Sequence, residues 1–260
     1  MKKFLLGATA FVALFAGSAM AADLPVKAPV MKAPPPPAAF SWNGCFIGVA
    51  GGGVWGRSRH DGFPPGPTEL TPFFDVSGAL AGVEYGCNYQ FSGWAIGTES
   101  DFSWTNKRGS ANDTGPGGVP TFVSTTKEHW LSTTRVRVGP TWDRTWLYVT
   151  GGFALASVEA DLNTNIPGIP LFAERRTQHG WTAGAGIEQS LGNNWSVKGE
   201  YLYVKLDNKQ FLFGNNPLIV GLNAQRAAVN LDDHVFRVGF NYKFIDCLLI
   251  CGGAPVAAKY

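Results

Sequence analysis

The stretch His234-Val235-Phe236-Arg237-Val238-Gly239-Phe240-Asn241-Tyr242-Lys243-Phe244 decides the reading of this chain. Its even-numbered positions are His, Phe, Val, Phe, Tyr and Phe, and its odd-numbered ones include Arg237, Gly239, Asn241 and Lys243. Successive side chains of a strand point to opposite faces, so one face is aromatic and the other polar. This pattern fits a half-buried strand of a soluble sandwich as well as a strand lying against lipid. The surrounding sequence chooses between them.

Working back from Phe244, seven further segments show the same division, each about as long as a tilted strand needs to cross a bilayer. Tyr85, Tyr89 and Phe91 oppose Glu84 and Asn88, and Trp94, Ile96, Phe102 and Trp104 oppose Glu99 and Asp101. Trp130, Val136, Val138 and Trp142 oppose Thr133, Arg135 and Arg137. Leu147, Val149, Phe153 and Leu155 oppose Tyr148, Thr150 and Ala154; Trp181 and Ile187 oppose Thr182 and Glu188; Trp195, Tyr201 and Tyr203 oppose Lys198 and Glu200. The first segment, Trp42 to Arg57, is glycine-rich, with Cys45, Ile47, Val49 and Trp55 assigned outward.

The connections alternate in length. Ser92-Gly93, Asp143-Arg144 and Gly192-Asn193-Asn194 read as tight turns, whereas 58–72, 105–127, 159–176 and 207–233 read as long loops. That rhythm belongs to a transmembrane barrel with turns on the periplasmic side and loops outside. Trp42, Phe91, Trp94, Trp142, Trp146 and Trp195 are expected to form one interfacial band, and Trp55, Trp104, Trp130 and Trp181 the other. The fold expected is therefore all-β: an eight-stranded antiparallel up-and-down transmembrane β-barrel with short periplasmic turns and four long extracellular loops.

Residues 1–21 have the layout of a secretory signal peptide: Lys2 and Lys3, an apolar run from Phe4 to Ala16, and Ala19-Met20-Ala21. Residues 22–39 form a Pro-rich periplasmic tether, 40–244 the barrel and 245–260 a C-terminal tail. Removing Lys2 and Lys3 with the leader turns a formal charge of +2 into a neutral chain, which argues against nucleic acid as a partner. No apolar run after residue 21 approaches the ~18 residues of a spanning helix.

The inward faces carry Glu84, Glu99, Asp101, Glu188 and Glu200 against Arg135, Arg137, Lys198, Arg237 and Lys243. An eight-stranded barrel is just wide enough for side chains to fill it. These ten residues are expected to form a polar plug and no open channel.

Trp42-Asn43-Gly44-Cys45-Phe46-Ile47-Gly48, Gly82-Val83-Glu84-Tyr85-Gly86-Cys87-Asn88-Tyr89-Gln90-Phe91, Tyr148-Val149-Thr150-Gly151-Gly152 and the ending 236–244 resemble the small outer-membrane β-barrel proteins ("porin family") of the alphaproteobacterial surface-antigen type. The resemblance covers about residues 40 to 244 and implies a surface protein of the bacterial outer membrane, structural or supporting envelope integrity, with relatives that bind haemin. It also implies that Phe244 resembles the terminal aromatic read by the barrel-assembly machinery, although here sixteen residues follow it. Outer-membrane lipid and that machinery are the partners implied, with peptidoglycan and host or environmental ligands as candidates for the loops.

Cys45 and Cys87 lie at mirrored distances from the first loop, so a cross-strand disulfide is open, as is a small loop closed by Cys247 and Cys251. No metal site is expected. His60 falls in the first loop, while His129, His179 and His234 open their strands at the outer rim. A haem site at the mouth or a small-solute pore are alternatives to the structural reading, although alternation turns His129 inward and the other two toward lipid. A lipid-modifying rim enzyme is a further alternative. No Ser stands beside the rim histidines and the P-loop, HExxH and GxSxG patterns are absent, so no enzyme and no resident cofactor is expected.

Overall fold

The computed structural model describes residues 40–62, 68–69, 72–114, 120–164, 170–212 and 226–245. The leader, the whole tether, the tail from residue 246 with Cys247 and Cys251, and the four loop tips lie outside the described residues. Ten β elements occur among them: β1 (Gly44–Gly62), β2 (Thr68–Glu69), β3 (Phe74–Phe91), β4 (Trp94–Thr105), β5 (Arg108–Thr114), β6 (Pro120–Trp142), β7 (Thr145–Thr164), β8 (Pro170–Gly192), β9 (Trp195–Leu212) and β10 (Arg226–Ile245).

Eight of these form the wall. Each pairs antiparallel with its neighbour, and β1 pairs with both β3 and β10, which closes the sheet. Following paired residues round the ring from Trp55 leads through His234, Tyr203, Ala183, Gly151, Val136, Thr98 and Cys87 back to β1 at Cys45. The return point lies ten residues below the start, and that stagger corresponds to strands tilted by about 40°. With no free edge in the ring, the backbone hydrogen bonds of the wall are satisfied internally, as a hydrocarbon surrounding requires.

The tight turns are where the sequence puts them. Ser92, Asp143, Asn193 and Asn194 have φ of 44, 50, 50 and 70°, and Gly93 and Gly192 lie at 80 and 92°. Asn, Asp and Gly reach this left-handed region at least cost. At the other end the strands run on where irregular loops were expected. Parts of 58–72, 105–127, 159–176 and 207–233 continue as strand, so the extracellular hairpins are extensions of the wall. β5 resumes the line of β4 after Asn106-Lys107 and pairs with β6.

The outer face of the wall is apolar and exposed: Ile47, Val83, Tyr85, Val136, Val149, Phe153, Ile187, Val238 and Phe240 are all more than a third accessible. A belt of this kind around a whole molecule is the surface that lipid covers.

Candidate functional site: the layered lumen

The inward faces stack three layers. At the end of the tight turns Trp42, Trp146, Tyr148 and Ala95 pack together, each nearly inaccessible. Trp146 shares its parity with Tyr148 and Thr150, so it belongs to the inner face, although its distance from the turn suggested the interfacial band. Trp42 precedes β1 and turns into the mouth, its amide donating to Gln90 Oε1 at 2.8 Å. Those two are corrections to the expected band. Phe91, Trp94, Trp142 and Trp195 on one side, and Trp55, Trp104 and Trp181 on the other, are exposed on the outer face.

The middle layer is ionic. Arg135 binds Glu99, Glu200 at 2.8 Å and Asp101 at 3.2 Å. Arg237 reaches Asp101 at 3.0 Å, Glu200 at 2.8 Å and Glu99 at 3.3 Å. Arg137 bridges Glu99 at 2.9 Å and Glu188 at 3.1 Å, and Lys198 bridges Glu84 at 2.9 Å and Glu99 at 2.7 Å. Glu188 also accepts from Ser196 and Asn241. Glu99 therefore touches all four cations. The aromatic layer caps this one, since the Arg137 guanidinium lies 4.7 Å from the Trp146 ring and 4.9 Å from that of Phe46.

Nine of the ten expected lumen residues meet in this layer. The tenth, Lys243, points inward but stands lower, at the periplasmic mouth. Its ammonium donates to the Ser41 carbonyl at 3.1 Å and lies 5.6 Å from the Phe40 ring. Five carboxylates thus face four cations in the layer, not five.

The outer end departs from a wholly polar lumen. Val54, Leu80, Leu131, Leu202, Val204, Leu206, Leu231 and Val235 form a buried apolar cluster with Ala154, Ala156 and Val158. Within that end, buried Lys107 donates to Glu128 at 2.6 Å and to Asp233 at 2.5 Å. Lys107 and Asp233 fall in 105–127 and 207–233, stretches that read as loops, so the strand alternation stops short of them in sequence. Continuing the alternation of Glu99, Asp101 and Ser103 reaches Lys107, and that of Arg237 and Val235 reaches Asp233.

The histidines do not converge. A bulge between Glu128 and Trp130 reverses the alternation on β6 and turns His129 toward the outer face, correcting its expected inward orientation. There it contacts Glu159 at 3.1 Å. His179 pairs with Asp207 at 3.2 Å on β8, and His234 stacks on Trp55 on β10. Their strands are separated by β7 and β9 on a curved outer wall, so these imidazoles diverge. His60 is buried inside, its ring nitrogen 2.8 Å from Thr126 Oγ1. Among the described residues no three His, Cys, Asp or Glu side chains are grouped as metal ligands.

Cys45 and Cys87 oppose each other in register between β1 and β3 and form a disulfide. Phe244, near the end of β10, faces outward. On the extensions of β6, β7 and β8, beyond the outer Trp band, Lys127, Glu159, Asp161 and Arg175 form a ladder with His129. Hydrogen bonds from Arg175, helped by His129 and Lys127, hold the Glu159 carboxyl down at about 2. The hydrogen bond to Asp161 raises Lys127.

A closed antiparallel ring with an apolar outside, a filled inside and an aromatic band at each end defines an outer-membrane β-barrel. The family model for the outer membrane protein beta-barrel domain matches residues 8–244, and the chain belongs to that family. It is 35% identical over 252 residues to the 31 kDa outer-membrane immunogenic protein of Brucella melitensis biotype 1, covering 94% of this chain and all of that one. The 25 kDa outer-membrane immunogenic protein of Brucella canis is 28% identical, over 88% of this chain and 90% of that one. The crystal structure of OprG from Pseudomonas aeruginosa superposes with a TM-score of 0.50 at 17% identity, covering 78% of this chain and 96% of that one, a likeness of fold. The protein is thus a small outer-membrane barrel of the alphaproteobacterial type and resides in the outer membrane.

Proposed function

We propose that this protein is a non-conducting, non-catalytic surface barrel that supports the integrity of the outer envelope. The observation that carries the reading is the filling of the lumen by three successive layers of buried side chains. The cavity beside Trp42, Phe46 and Glu188 at the periplasmic mouth has a volume of about 20 Å³, room for about one water. The hairpins that rise beyond the outer Trp band present surface to the exterior, in keeping with relatives named immunogenic. Phe244, close to the end of β10, fits the role of an assembly signal for the barrel-assembly machinery despite the residues that follow. Haemin has no converging pair of imidazoles to bind on the described surface.

Planar-bilayer recording of refolded protein tests the reading. The expected record is a flat baseline at salt concentrations where open barrels conduct. Discrete, reproducible channel openings would sink it.

A further inference from the structure

A groove of about 760 Å³ lies on the outer wall across β3, β1, β10 and β9, outside the lumen described above. Its floor is aromatic. The Trp55 and His234 rings stack with centroids 6.2 Å apart and planes 18° from parallel, and Tyr203 tilts onto His234 at 5.4 Å. His234 is held in place by the Tyr201 hydroxyl, 2.6 Å from Nδ1. Its rim is polar and balanced in charge: Arg57 stands 3.8 Å from Asp75, and Lys205 stands 3.5 Å from Asp232.

What lies beneath the groove identifies its occupant. On β1 the two outward positions below Trp55 are Gly53 and Gly51, paired with Ala79 and Ala81 on β3 and with Phe236 and Val238 on β10. A Cβ at Gly51 or Gly53 would meet nothing nearer than 3.6 Å, so these two glycines are not demanded by packing. They leave a shallow slot in the lipid-facing belt that runs straight up to the aromatic floor. A molecule seated there has an apolar chain below the Trp band and a hydroxyl-rich ring above it. Flat aromatic faces suit the C–H face of a sugar ring, and the flanking Asp75 and Asp232 carboxylates accept from hydroxyl groups. The balanced rim gives no preference to a strongly anionic headgroup.

We propose that this groove and slot bind one glycolipid of the surrounding leaflet, with its sugar ring on Trp55 and His234 and an acyl chain over Gly51 and Gly53. The site is independent of whether the lumen conducts.

The test uses the full chain refolded into phosphatidylcholine vesicles containing a minor fraction of a monoglucosyl diacylglycerol. Native mass spectrometry then counts the lipids retained on released barrels. One glycolipid is expected to be retained over phosphatidylcholine, and Trp55→Ala should weaken that preference by about tenfold, the order set by one lost stacking face. Gly53→Leu, which fills the slot and leaves the aromatic floor intact, should weaken it as well, while Trp104→Ala on another part of the band should not. Heat-modifiable gel mobility establishes that each variant is folded; if Trp55→Ala does not fold, Gly53→Leu carries the test. Excess methyl glucoside, which lacks the chain, should not displace the lipid. Equal retention of both lipids, indifference to Trp55→Ala and Gly53→Leu, or displacement by methyl glucoside overturns the proposal.

Discussion

The middle layer of the lumen and the ladder on the outer face of β6, β7 and β8 are built from the same side chains in opposite surroundings. In the lumen Arg135, Arg137, Arg237 and Lys198 are inaccessible and each meets at least two carboxylates. On the ladder the Arg175 side chain is 56% accessible and Lys127 39% accessible. Geometry is similar in the two, with contacts of 2.5 to 3.4 Å on the ladder and 2.7 to 3.3 Å in most lumen pairs. The difference lies in what happens when a partner leaves. Water and salt replace a lost partner on the ladder, whereas nothing replaces it in the lumen.

The largest effect should therefore come from Arg135→Met. It leaves five carboxylates facing three cations in the layer, and breaking a buried network of this kind costs about 3–5 kcal/mol. Urea titration of refolded barrels, read by gel mobility, measures it. A loss no larger than about 1 kcal/mol, the value of an exposed pair, would erase the distinction between the two regions. Next is Lys107→Met, which strands Glu128 and Asp233 against each other at the apolar outer end, with an expected loss of about 3 kcal/mol. Adding Glu128→Gln and Asp233→Asn to Lys107→Met should recover most of that stability. Recovery absent from the triple variant would mean that Lys107 acts through packing of its stem instead of its charge.

The contrast also shows what alternation along a strand can and cannot reveal. Facing is a local property, so period-2 reading placed Glu99, Arg135, Lys198 and Arg237 inside, where they meet. Height along the barrel axis is not local, because it depends on the stagger accumulated round the whole ring. Hence Lys243 has the inward parity of the charged layer and yet stands at the mouth, whereas Trp146 is a case where facing was legible: its parity with Tyr148 turns it inward whatever its distance from the turn. A bulge is invisible for a related reason. The extra residue at His129 changes no composition, yet it reverses every facing beyond it. Of the outer apolar cluster, only the part at Val229 and Leu231 falls in a stretch that reads as a loop; Val54, Leu80, Leu202, Val204 and Val235 stand at inward positions of expected strands, so their parity was legible while the change from polar to apolar filling along the axis was not.

On the ladder, Arg175→Ala should cost less than about 1 kcal/mol, and the wild-type contribution should fade in ~1 M salt while the Arg135→Met loss does not. Chemical denaturation at two ionic strengths measures both, and an equal salt response would argue that water reaches the lumen layer.

The smallest effect is a pH dependence confined to the extensions. Glu159 binds its proton less readily in the folded protein, at about 2 against the ordinary 4.5, because Arg175 donates to the ionised form. Its stabilising contribution is then complete above about 4.5 and is lost as the pH falls through about 2. Limited proteolysis or amide exchange of the β6–β8 hairpins should show increasing opening across that window, with the membrane-embedded strands unchanged. Glu159→Gln should open those hairpins slightly at neutral pH and flatten their response to acid. If the Glu159→Gln protein keeps the full acid response, the ladder's sensitivity arises from another group, and the outer charges differ from the inner ones in exposure but not in the way their protons are linked to folding.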